Sequence, residues 1–196
     1  MATQVSSIPI NVTLDRPQSK DVVRALLHAV LFHRLFGTIK PQTIDVLDVT
    51  FPGVADPDIE SLINSKVEEF WRALDTIPGG NGVTKKGQML IILSEKRQKK
   101  IWFSMAEEEV PWEQWIINIE ILPPRPQASN YYSSSSTRPT FTKQPPPPTP
   151  MDQVLLQILT HVSSAKGRDA VPPITTGGVI SPFPLKVEVR IGDQMI

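Results

Sequence analysis

The opening residues constrain the fold more tightly than any other part of the chain. Ile8, Ile10, Val12 and Leu14 alternate with Pro9, Asn11, Thr13 and Asp15, the two-residue period of a strand with one buried face. The period then changes, and Val22, Val23, Leu26, Leu27, Val30 and Leu31 recur at helical spacing until Gly37. That helix is apolar over a wide arc, which makes it central rather than peripheral. Pro9 puts the strand at a sheet edge or gives it an irregular start, and Ser19 stands where it can cap the helix.

The rest of the chain continues the alternation of strand and helix. Residues 43–51 read as a second strand stopped by Pro52-Gly53, and Asp56-Pro57-Asp58 opens a second helix with a cap, a first-turn proline and acids at the positive end of the dipole. Ile59, Leu62, Ile63, Val67, Phe70 and Leu74 form its apolar stripe. After the turn at Pro78 to Gly82, Met89–Ser94 and Trp112–Leu122 read as two strands of an antiparallel hairpin whose long connection carries Trp102 and Phe103. In the second of them Trp115, Ile117, Ile119 and Ile121 share a face. Residues 123–150, crowded with proline and serine, read as a disordered insert. Helical spacing returns from Met151 to Val162, and Leu185, Val187, Val189 and Ile191 alternate in a last strand. The order β-α-β-α-β-β-insert-α-β predicts one α+β domain over residues 1–196, with helices packed on a mixed or antiparallel sheet.

Composition excludes several classes of function. Twenty basic and twenty acidic residues cancel, so no global field draws the chain to nucleic acid, and no nucleic-acid partner is expected. Cysteine is absent, which removes disulfides and thiolate chemistry and suits a reducing, cytoplasmic setting. Apolar runs such as Met89–Leu93 are too short to span a bilayer.

Chemical motifs are sparse. Gly82-Val83-Thr84-Lys85-Lys86-Gly87 approaches a phosphate-binding loop, but Gln88 and Met89 replace the lysine and hydroxyl, and a flexible turn is the plainer reading. His28 and His33 are separated by about 140° around one helix, so they do not form an i, i+4 ligand pair, and no metal or cofactor is expected. His161 has no acid or nucleophile beside it in sequence. The prolines 145–148 and 150 suit a spacer or a polyproline II ligand. Lys96, Arg97, Lys99 and Lys100 beside Trp102 could hold phosphates while the ring stacks or enters a lipid interface; Glu107, Glu108 and Glu109 could instead neutralise them across the hairpin. Two large adjacent aromatics in so charged a segment either fold back onto the core or wait for a partner, because each ring removes roughly 150–250 Å² from water when buried. Sequence alone leaves both open.

The chain also resembles a known family, that of autophagy-related protein 101. The resemblance rests on Leu27-His28-Ala29-Val30-Leu31-Phe32-His33-Arg34, Val67-Glu68-Glu69-Phe70, Gly87-Gln88-Met89 and Val110-Pro111-Trp112-Glu113-Gln114-Trp115, in that order, with a weaker match at Pro172-Pro173-Ile174. It implies a HORMA fold without a catalytic site, a subunit of the autophagy-initiation kinase complex that pairs with and stabilises the HORMA domain of autophagy-related protein 13. It further implies that Trp102 and Phe103 match the family's WF finger, which recruits downstream autophagy factors at the phagophore assembly site. The two aromatics are adjacent here, where the family form places one residue between them. His33 and Arg34, at the polar end of the first helix, are expected near the heterodimer face. The alternative is a lipid- or nucleic-acid-binding module built on the same basic and aromatic hairpin tip.

Overall fold

Strict alternation of buried and exposed residues carries Ser6–Asp15 into strand β1 of a computed structural model that describes residues 5–78, 82–101, 104–123, 149–174, 181–192 and 194–195. A 3-10 turn, Arg16–Gln18, leads into helix α1, Ser19–Phe32, which buries ten of its residues. Ser19 does not cap it: the residue lies inside the first turn, and its hydroxyl donates to the Arg16 carbonyl at 2.6 Å.

Residues 43–51, expected as one strand, are instead parts of two. Strands β2 (Pro41–Val46) and β3 (Val49–Val54) pair antiparallel around Leu47-Asp48, and β3 continues through Pro52-Gly53. Both turn residues have positive φ, 52° and 62°, the primed-turn geometry that matches strand twist and that Asn-Gly or Asp-Gly would announce. Leu47 gives no such signal, which is why the reversal is hidden in the sequence.

Helix α2, Pro57–Thr76, starts as anticipated: Asp56 accepts from the Asp58 and Ile59 amides at 3.1 Å each, with Pro57 in the first turn. Its apolar stripe lies against the sheet formed by β4 (Lys85–Ile101), β5 (Ser104–Leu122) and β6 (Leu185–Ile191), where it packs on β4 and β6. Helix α3, Pro150–Ser163, is held by a reciprocal Thr149–Asp152 capping box, so Pro150 begins a helix. A short helix α4, Ala165–Asp169, follows, capped by Ser164. Strand β7 is Gln194–Met195.

The five-stranded sheet has the order β1-β5-β4-β6-β7. β1 runs parallel to β5, and the other pairs are antiparallel, so the sheet is mixed and the domain α+β. β1 does form an edge, and there Gln157 donates to the Pro9 carbonyl at 2.7 Å, which blunts the edge against strand addition. Ile10, Val12, Met89, Ile91, Trp115, Ile117, Val187 and Val189 meet the helices in one core. The opposite face carries a row in which Gln88 donates to Asn118 and Asn118 to Asn11, both at 2.7 Å.

Gly87 lies in β4 and is no part of a flexible loop. A Cβ there would fall 2.5 Å from Ile191 Cδ1 and 2.6 Å from Phe70 Cε2, so the missing side chain lets α2 approach the sheet. Among the described residues no helix is long and apolar enough to cross a membrane.

Candidate functional site

The β4–β5 hairpin outruns its neighbours. β1 pairs with β5 only from Glu113 onward, and β6 pairs with β4 only from Gln88 to Leu93. Ser94–Ile101 and the facing half of β5 therefore leave the sheet as a two-stranded arm, which at about 3.4 Å per residue reaches some 25 Å. Pairing continues to Ile101 and Ser104. Trp102 and Phe103, the two residues between them, lie outside the described residues.

The segment expected as a long connection is thus strand for almost its whole length, and charge explains how it is held. One limb is basic and the other acidic, and their charges meet on the diagonals of the register: Lys96, opposite Glu109, pairs with Glu107 at 3.4 Å, and Lys99, opposite Ala106, pairs with Glu108 at 3.2 Å. Arg97 pairs with Glu95 on its own strand. Cations available in the sequence to grip phosphate are partly neutralised by the acids across the hairpin. The two pairs across the hairpin are exposed and contribute at most about 1 kcal/mol each, so they hold the arm's register more than they stabilise the domain.

The base of the arm is anchored twice. Leu93 pairs with Glu113 but Ser94 with Pro111, which leaves Trp112 as the extra residue of a β-bulge. Trp112 is 3% exposed and its ring packs on Phe183 at 5.3 Å, in a small cluster with Leu93 apart from the main core. Phe36, beyond the end of α1, meets Phe183 edge-on at 5.9 Å.

The next residue, Glu113, is fully buried and binds four donors. Arg34 Nε donates to Oε2 at 2.6 Å and Nη2 to Oε1 at 2.8 Å; Trp115 Nε1 donates to Oε2 at 2.8 Å; and His161 Nε2 lies 2.8 Å from Oε1. A carboxylate paired with a guanidinium only accepts, so His161 carries its proton on Nε2. Arg34 also donates to the Gly167 carbonyl at 3.2 Å. One carboxylate thus joins the end of α1, the root of the arm, α3 and α4.

Arg34, expected near a partner face, is 2% exposed and turned inward to this carboxylate. His33 caps α1, half-buried, with its ring edge-on to Phe32 at 5.1 Å. Burial, and then the neighbouring Arg34 charge, push its pKa down. His28 is a packed core histidine: Nδ1 accepts from the Val54 amide at 3.4 Å, and burial lowers its pKa against the opposing charge of Glu60. His161 has an acid partner that sequence could not supply, but among the described residues no hydroxyl is bonded to its other ring nitrogen. Nor do the described residues hold a cluster of three or more His, Asp or Glu suited to a metal. The arrangement can position and stiffen; it assembles no nucleophile with a base.

The four sequence blocks of the resemblance meet pairwise in space. Arg34 of the first binds Glu113 of the fourth, and Phe70 of the second fills the space that Gly87 of the third leaves open. The family model of autophagy-related protein 101 matches residues 11–178. The chain belongs to that family. Autophagy-related protein 101 of Schizosaccharomyces pombe is 35% identical over 130 residues, 66% of each chain. The Arabidopsis thaliana family member is 30% identical over 184 residues, covering 86% of this chain and 80% of its own. The human one is 27% identical over 128 residues, 58% of this chain and 56% of its own, so the match spans little more than half of the human protein. Family membership assigns the chain a role in autophagy.

Proposed function

We propose that this chain is a non-enzymatic adaptor of the autophagy-initiation complex, a single HORMA domain over residues 1–196 with an insert between β5 and α3. Its body pairs with and stabilises the HORMA domain of autophagy-related protein 13. The arm carries Trp102 and Phe103 as a WF finger that recruits downstream autophagy factors, in the cytoplasm, at the phagophore assembly site.

The observation that carries this reading is the arm. Its strands stay paired to Ile101 and Ser104, far beyond β1 and β6, while its base is fixed by Trp112 and Glu113. A stiff ribbon that ends in two aromatics suits an anchor that reaches into a partner's pocket, because little ordering entropy is then lost on binding.

Size-exclusion chromatography with light scattering, on the chain alone and mixed with the HORMA domain of autophagy-related protein 13 from the same source, tests the pairing. A stable one-to-one complex is expected. Separate elution of the two at micromolar concentrations would contradict it.

A further inference from the structure

We infer that Glu113 is a positioning residue which makes the direction of the arm conditional on the docking of the α3–α4 pair. Glu113 stands one residue past the Trp112 bulge, where the arm leaves the sheet, and three of its four hydrogen bonds hold it to elements other than its own strand: two from Arg34 beyond α1 and one from His161 of α3. The Arg34 guanidinium bridges onward to the Gly167 carbonyl of α4, so the carboxylate, the guanidinium, α3 and α4 form one connected unit. Gly167 is itself pressed against the end of α3, where a Cβ would fall 2.0 Å from the His161 carbonyl.

The burial pattern makes the helical side of this latch the weaker one. α1 buries ten residues, whereas α3 buries only Met151, Val154 and Ile158 and leaves Leu156 and Leu159 exposed. An element with few buried contacts opens at lower free energy than the core it lies on. When α3 lifts, Glu113 loses His161 while keeping Arg34 and Trp115, so the strand stays paired but its root loses a constraint. A force or ligand acting on α3 would thereby reach the arm without touching it.

This inference draws its meaning from the reading of the arm as the recruiting element, but its test reads geometry only, so it can fail or hold independently of partner binding. The chain has no cysteine, so spin labels go only where they are placed. One pair joins Gln98→Cys on the arm to Ser65→Cys on α2; a control pair joins Ser65→Cys to Thr43→Cys on β2. Double electron–electron resonance then compares the parent chain with His161→Ala and with His161→Ala plus Ile158→Ala. The arm distance distribution is expected to broaden about twofold in the double variant while the control stays narrow. An unchanged arm distribution overturns the inference. Equal broadening of both pairs, the mark of general loosening, overturns it as well.

Discussion

Arg34 and Glu113 form a two-bond ion pair buried at the root of the arm, with side chains 3% and 0% exposed. Breaking such a pair from one side leaves an uncompensated charge. Glu113→Gln should therefore destabilise the domain by about 3–5 kcal/mol in urea unfolding. Combining it with Arg34→Met should cost less than the sum of the two single changes, because the stranded guanidinium is then gone. A loss below about 1 kcal/mol for Glu113→Gln would contradict the burial on which the network rests.

Acid should weaken the fold through histidine before it does so through carboxylates. His28 and His33 have lowered pKa values in the folded chain, so between those values and the unfolded value of about 6.5 the unfolded chain binds more protons. The stabilisation they confer is complete above about 6.5 and is lost as pH falls through the folded values. Asp75 and Glu188, held down by hydrogen bonds from Arg16 and Lys186, add their losses only below about 4.5. Urea midpoints should fall between pH 7.5 and 5.5, and His28→Gln together with His33→Gln should flatten that slope. A midpoint that rises on acidification would reverse the sign.

The β2–β3 turn holds two left-handed residues where neither is glycine or asparagine. Replacing Leu47-Asp48 by Asn-Gly should stabilise the chain by about 0.5–2 kcal/mol, read as a higher thermal midpoint. A lower midpoint would mean that Leu47 contributes more at this position than its strained backbone costs.

Paired charges on the arm predict weak attraction to anionic membranes. With Lys96 and Lys99 ion-paired to Glu107 and Glu108, co-sedimentation with phosphatidylserine vesicles should be negligible near about 0.15 M salt. Binding that falls steeply with salt and is abolished by Lys96→Ala with Lys99→Ala would favour the lipid-binding alternative.

Much of this architecture was legible in the sequence, for physical reasons that also explain what was not. Ile8 to Leu14 and Trp115 to Ile121 alternate because each strand has one face on the core, and the α1 stripe is wide because the helix is covered on several sides. The β2–β3 reversal is hidden because Leu47 occupies a position whose usual occupants advertise themselves. The arm reads as a connection because its strands carry charge next to charge rather than apolar next to polar; no buried face imposes the usual period. At the buried node one signal was present. Glu113 shares parity with Trp115 and Ile117, so an acid stood on an inward face and required a buried partner. Which partners it found, Arg34 and His161, depends on contacts between residues 79 and 48 positions apart, beyond the reach of any local pattern.

The double variant Trp102→Ala with Phe103→Ala separates the role of the arm from that of the body. It should fold with an unchanged urea midpoint, keep its one-to-one complex with the HORMA domain of autophagy-related protein 13, and lose recruitment of downstream factors to the phagophore assembly site, with binding weakened by about 2 kcal/mol or more. Unfolding or loss of the heterodimer would put the two rings in the core, and undiminished recruitment would remove the arm from the function assigned to it.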